Sequence, residues 1–479
     1  MDRTPPTTAD DRRAPGSAST LLGFWDAVSV IVGIVVGASI FKVPADVFNN
    51  VSGPWQGLGV WLLGGALSLV GALCYAELAT TYPRSGGDYV YLTRAFGPLS
   101  GFLFGWARLG GILTGSIGAM AYVFADHAVD LFGIEREANY QFAIGGVLVL
   151  TLVNMGGVSV GKTAQNVLTV LKVFGLSGIV LVGFVWGGGY EAPTSVPVEA
   201  SGASGTLGMA LIFVLYAYGG WNDSAYVAAE IRDPRRNVPR ALCQGIAAIT
   251  VIYLLVNAGI LYGLGFEGGR SSRTPAADVL ALIPGEWSPN VIRVLVMVSA
   301  LGALNGMLFT GSRVHASMGA DHRLFAWLGK WNTRTGAPVW ALATEGAISI
   351  LLILAIGTQA GRGSIDALFE RFGASLIPWE KFEGGFSTLV IATAPIFWLF
   401  FLLTGVSLFV LRVKDAGRDR PFSVPLYPWT PLVFCGTSIY MLYASIDYAR
   451  SLSLIVIAPL LLGLPVYAIS RSMNRRATQ

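Results

Sequence analysis

The stretch VSVIVGIVVGASIFKVPADVF, residues 28–48, decides how this chain is read. It is long and apolar enough to enter a bilayer, because a helix needs about 20 mainly apolar residues to cross the hydrocarbon core. Its middle nevertheless holds Gly33, Gly37 and the small residues Ala38 and Ser39, after which a second helical stretch begins. In lipid every backbone amide must find a partner, so a helix can unwind at that depth only where it lines a protein-enclosed or water-filled space. A glycine-marked interruption therefore points to a site. A second one lies in LIFVLYAYGGWNDSAYVAAE, residues 211–230, at Gly219 and Gly220.

The rest of the chain agrees with a bilayer as solvent. Of its 479 residues 53% are hydrophobic and 13% charged, with a mean hydropathy of +0.61, whereas soluble domains carry about 25% charged residues. No linker separates two halves, so a single membrane domain over 21–470 is expected, between a polar tail at 1–20 and a tail at 471–479. Cys74, Cys243 and Cys435 fall in or beside apolar spans with no CxxC spacing, and His127, His315 and His322 are scattered. No metal, no cofactor and no enzyme chemistry is expected.

Apolar runs place spans near 24–48, 56–81, 97–125, 140–160, 164–187 and 204–230, then 239–265, 288–318, 338–357, 387–412, 429–446 and 451–470. The chain is thus read as an all-α membrane protein with twelve transmembrane helices. With both termini cytoplasmic, most Lys and Arg fall on that side, including Arg232, Arg235, Arg236 and Arg240 in one loop and Arg412, Lys414, Arg418 and Arg420 in another. These charges set topology in a cell inner membrane, and the net charge of +4 calls for no nucleic acid. The first residues lack the apolar core of a cleavable signal, so the first helix acts as the insertion signal.

Spans one and six are equivalent if the first ten helices form two inverted five-helix repeats, which is how inverted-repeat transporters place their discontinuous helices. Packing glycines are the plainer explanation for either break alone. A broken helix exposes amide N–H groups at the start of one half, which attract a carboxylate, and carbonyls at the end of the other, which attract an ammonium group. A zwitterionic amino acid carries both groups on one carbon. Two broken helices meeting at one point can hold its main chain with no charged side chain.

These residues, together with CYAELATTYPRSGGDYVYLTRAFGP (74–98), YAYGGWNDSAYVAAEIRDPRRNVPRAL (216–242), SRVHASM (312–318), NTRTGAPVWAL (332–342) and LRVKDAGRDRPFSVPLYPW (411–429), make the chain recognisable. It resembles the amino acid-polyamine-organocation superfamily, especially the L-type amino acid transporter-like permeases. The resemblance implies a LeuT-type fold, with core repeats at about 24–187 and 204–412, peripheral helices over 429–470, and spans one and six unwound at mid-membrane. It implies alternating access, as an exchanger or a proton-linked or uniporting permease. It also implies that the backbone around Gly37, Ala38, Ser39 and Ile40 meets the substrate carboxylate, and that carbonyls near Val35, Tyr216, Ala217 and Gly219 meet its ammonium group. Tyr216 matches the aromatic residue that closes over substrate in relatives, and Trp221 and Asn222 lie one turn further on; aromatic packing is the competing explanation for both rings. Where the family usually has glycine, this chain has Ser39, which implies an atypical substrate or a hydroxyl that bonds the carboxylate.

Lys172 lies in the middle of span five, where a charge costs about 2.5–3.5 kcal/mol on insertion scales. It matches a lysine that in relatives points at the first helix and stands where sodium-coupled members hold their ion. The sequence leaves it as a fixed cation, a proton carrier or a bundle-stabilising residue. Asp26, Glu77, Arg108, Asp223 and Glu230 lie towards the cytoplasmic halves of their spans, where they are expected to pair as an inner gate, to form static salt bridges or to snorkel towards the interface. A polyamine or other amine is the runner-up cargo, and it would call for acidic residues in the cavity. Animal relatives join a glycoprotein subunit through a cysteine after span three; HAVDLFGIEREANY (127–140) has none, so no disulfide-linked partner is expected. The long 358–386 segment suggests a short amphipathic helix on the membrane surface or over the outer vestibule.

Overall fold

In the computed structural model, residues 21–188, 206–285, 288–371, 379, 385–449 and 454–476 are described. Among them the elements are helical, apart from one parallel bridge between Leu22 and Ile231. The order is α1 (Phe24–Val35), α2 (Val43–Phe48), α3 (Pro54–Thr81), α4 (Asp88–Phe96), α5 (Pro98–Ala107), α6 (Leu113–Phe132), α7 (Asn139–Met155), α8 (Val158–Trp186) and α9 (Leu207–Ala217). Then come α10 (Pro234–Ser271), α11 (Pro275–Leu280), α12 (Ser288–Asp321), α13 (Val339–Gly357), α14 (Gln359–Arg371), α15 (Gly385–Lys414), α16 (Trp429–Ala449) and α17 (Leu454–Arg476).

Eight helices among the described residues are long and apolar enough to cross a membrane, counting α5 and α6 as one. The chain is therefore a multi-pass membrane protein. Proline opens α3, α5, α10 and α11 within the first turn, where its missing N–H leaves no bond unmade. At the start of α1, Asp26 accepts the Gly23 amide at 2.8 Å and holds Lys162 of α8 at 3.1 Å.

Two helices are interrupted. α1 stops at Val35 and resumes as a 3-10 turn over Ala38–Phe41 before α2. α9 stops at Ala217 and continues as a ten-residue 3-10 helix, Trp221–Glu230. The far end of that helix is tied back to the start of α1, for Leu22 donates to the Glu230 carbonyl at 3.1 Å and Arg232 donates to the Leu22 carbonyl at 2.9 Å. α1 is enclosed by α8, α10 and α12, so its broken end faces protein rather than lipid. Between α5 and α6 a π turn, Arg108–Ile112, widens the third span.

Some expected boundaries move. The third span runs on to Phe132, the last helix continues through Arg476 into the expected tail, and the loop after α3 folds as α4. A short helix does form within 358–386, α14; apart from Trp379, whose indole donates to Asp366 at 2.9 and 3.0 Å, residues 372–384 lie outside the described residues. So does the 1–20 tail.

Candidate functional site

The first break is held open by side chains from three helices. Val36 closes the last turn of α1 on the Val32 carbonyl at 2.9 Å, and Gly37 turns back on the Val35 carbonyl at 2.7 Å. The next 3-10 turn starts fresh at Ala38, and the first amides of any helix have no intrahelical acceptor. Below them, the Lys172 ammonium donates to the carbonyls of Gly33 at 2.7 Å, Val36 at 2.8 Å and Ser299 at 3.2 Å. An ammonium has three donors, and here three carbonyls take them. The Ser299 hydroxyl adds a second bond to Val36 at 3.1 Å. Lys172 is fully buried, and Gly302 on α12 leaves the room it needs, since a Cβ there would stand 2.9 Å from Nζ.

The second break is held to the first. The Tyr253 hydroxyl of α10 lies 2.9 Å from the Val35 carbonyl and 2.9 Å from the Ala217 carbonyl. Gly219 caps α9 by donating to Tyr216 at 3.0 Å. Gly220 then takes φ +105°, and a Cβ on it would meet Ile34 Cγ2 at 2.7 Å. Only glycine combines that backbone angle with so close an approach to α1.

Between the broken ends lies a cavity of about 180 Å³. Val35, Gly37, Ala38, Ser39, Tyr216, Ala217 and Gly219 all line it. Three other expected residues do not. Ile40 is fully buried behind the turn. Trp221 points away into an aromatic cluster with Tyr75, Phe401 and Phe434. Asn222 is likewise buried and donates to the Tyr226 hydroxyl at 2.9 Å. The segment after Gly220 winds with three residues per turn, which turns these side chains off the direction an α-helix would give them. The opposite wall, not foreseen from sequence, comes from Ile112, Leu113 and Met120 of the third span and Phe397 and Trp398 of α15.

Arg108 and Asp223 reach the cavity as well, with Nη2 and Oδ2 3.5 Å apart and both side chains buried. Arg108 also donates to the Tyr226 hydroxyl at 3.0 Å, and that hydroxyl donates to Asp88 at 2.8 Å. The other acids expected to pair or snorkel are paired too. Glu230 takes a two-point contact from Arg313 at 2.9 and 3.0 Å, Asp26 holds Lys162, and Glu77 holds Arg412. Among the described residues, the single acid in the cavity lining thus has its own cation.

The family model described as "Amino acid permease" matches residues 22–464. The chain belongs to the amino acid permease family. Among curated relatives, the b(0,+)-type amino acid transporter 1 of Mus musculus is 29% identical over 435 residues, covering 89% of this chain and 82% of that one. The serine/threonine exchanger SteT of Bacillus subtilis is 29% identical over 455 residues, covering 93% of this chain and 95% of its own. The Asc-type amino acid transporter 1 of Mus musculus is 28% identical over 457 residues, covering 93% of this chain and 80% of that one. The permease is a transporter and not an enzyme, and its cargo class is the amino acids; the polyamine alternative finds no support among these relatives.

Proposed function

We propose that this permease is a sodium-independent, secondary-active amino acid transporter that works by alternating access, as an exchanger or linked to protons. Its twelve crossings form a LeuT-type fold with two inverted five-helix repeats and two peripheral helices, spans one and six unwound at mid-membrane, and both termini on the cytoplasmic side of the cell inner membrane. The observation that carries this reading is a cavity lined by both broken ends at once. The free amides from Ala38 onward receive the substrate carboxylate, and the carbonyls of Val35, Tyr216, Ala217 and Gly219 face its ammonium group. The largely apolar far wall, with Arg108 neutralised by Asp223, favours a neutral side chain. The serine/threonine exchanger's cargo and mode point the same way.

In this scheme Lys172 serves as a fixed cation in place of a coupling ion. Its three donors are matched by three carbonyls, and a neutral amine would leave one of them unpaired. Partnership with a glycoprotein through a disulfide is not part of the scheme, since Cys74, Cys243 and Cys435 sit on α3, α10 and α16. The test is a screen of the purified protein in proteoliposomes, measuring counterflow of each common amino acid and of several polyamines with and without sodium. Counterflow of neutral amino acids without sodium is expected; a strict sodium requirement or a preference for polyamines would overturn the proposal.

A further inference from the structure

One layer behind the cavity lies a pair of titratable side chains that transport by backbone groups does not use. His315 on α12 and Glu345 on α13 are both 0% exposed, and Nδ1 of the ring stands 3.3 Å from Oε2 of the carboxyl. The alignment is too poor for a hydrogen bond: neither ring nitrogen and neither carboxyl oxygen has a hydrogen-bond partner. Packing does not explain the pair, because replacing such groups with apolar ones of similar volume is often neutral or stabilising. The contrast with Lys172 is plain, for there every donor is matched.

The pair sits where it can sense the cavity. A Cβ on Gly311 would lie 2.8 Å from Glu345 Oε1 and 2.0 Å from Leu113 Cδ2, and Leu113 lines the cavity. Among the described residues, the charged groups acting on Glu345 are Arg108 from the π turn, Asp223 from the 3-10 helix and Arg313 from α12; Arg108 acts on His315 as well. Arg313 is committed to Glu230. Arg108 is held less tightly by charge: its Nη2 lies 3.5 Å from each Asp223 oxygen, looser than the roughly 2.7–2.9 Å of a tight charge-assisted bond, and its firmer bond, 3.0 Å, goes to the uncharged Tyr226 hydroxyl.

We infer that His315 and Glu345 form a proton-binding site, linked through Arg108 to the occupancy of the cavity, so that a proton travels with the amino acid. The inference rests on the amino acid permease reading above. With one proton the pair is neutral, whether the proton is on the carboxyl or on the ring. Releasing it to water leaves a net charge of −1, which Arg108 compensates as it shifts from Asp223 towards Glu345. A substrate in the cavity alters how Arg108 is shared between these two acids, and thereby the proton affinity of the pair. By linkage the proton alters substrate affinity by the same factor.

For proton movement the experiment uses proteoliposomes holding the full chain, a trapped pH dye and no internal amino acid, so that uptake is net and no proton is carried back out by exchange. Addition of a transported amino acid to the wild-type protein moves protons inward, and an inward proton gradient stimulates uptake severalfold, on the order of 5-fold. Glu345→Gln and His315→Gln, made at opposite ends of the pair, abolish both effects while counterflow at equal pH stays within about 2-fold. Wild-type uptake without proton movement overturns the inference even if neither variant folds, and so does a full gradient response in either variant. Absence of any counterflow in the wild type would instead overturn the permease reading itself.

Discussion

The Lys172 ammonium lies 2.7 Å from the Gly33 carbonyl and 2.8 Å from the Val36 carbonyl, so one side chain of α8 caps the exposed end of α1 just before the chain unwinds. The last carbonyls of a helix carry partial negative charge, and a cation is the partner that best offsets it. Lys172→Met removes this partner and leaves buried carbonyls unsatisfied, at about 1–3 kcal/mol each. The expected result is a lower melting temperature in detergent and at least a roughly 10-fold loss of exchange. Lys172→Arg should not rescue transport, because a bulkier head group has little room where even a Cβ added at Gly302 would stand 2.9 Å from the ammonium.

The hydroxyl of Tyr253 is the one described side-chain group that touches the broken ends of both helices. Tyr253→Phe keeps the ring and its edge contacts with Trp61 and Tyr218, so folding should suffer by no more than about 1 kcal/mol. The relative position of Val35 and Ala217 would be freed. Transport kinetics should show a KM raised by roughly 5-fold with a smaller change in maximal rate.

Gly220 combines φ +105° with a would-be Cβ contact of 2.7 Å to Ile34. Gly220→Ala must therefore strain the backbone and push α1 away. Expression as a folded protein together with loss of substrate-induced thermal stabilisation is the expected outcome, and unchanged binding would show that the two breaks need not approach so closely.

Much of this arrangement is legible in the residues, and the limits are physical. Gly37, Ala38, Ser39, Gly219 and the intramembrane Lys172 stand out because lipid makes an interrupted backbone or an isolated charge conspicuous. Tyr253, Phe397 and Trp398 do not stand out. Lipid tails and a protein core are both apolar, so the pattern of apolar residues does not reveal which face of α10 or α15 turns inward. Trp221 and Asn222, expected on the unwound segment after Gly220, turn away from the cavity because that segment winds as a 3-10 helix, a direction the residue pattern does not reveal. His315 and Glu345 are 30 residues apart on separate helices, and their meeting depends on how α12 packs against α13.

At the end of α15, outside the membrane-spanning part, the carboxyl of Asp415 accepts from Arg94 at 2.7 Å and from the Tyr82 hydroxyl at 2.8 Å. Burial raises its proton affinity, but these bonds and the charges of Arg94 and Arg418 outweigh that and hold it below its ordinary value of 3.8. A carboxyl so depressed contributes stability that is complete above the ordinary value and is lost as pH falls through the folded one. Asp415→Asn should cost about 1 kcal/mol or less at neutral pH. It should also flatten the acid arm of melting temperature against pH, which differential scanning fluorimetry can read.

The central claim is that bare peptide groups at two helix breaks recognise the two charged groups of an amino acid main chain. Trans-stimulated efflux from proteoliposomes measures this directly when a transported amino acid is compared with two analogues of the same side chain, one lacking the carboxylate and one lacking the ammonium group. The account predicts stimulation by the amino acid and none by either analogue. Equal stimulation by the amine or the acid would contradict it, because the site would then be reading the side chain alone.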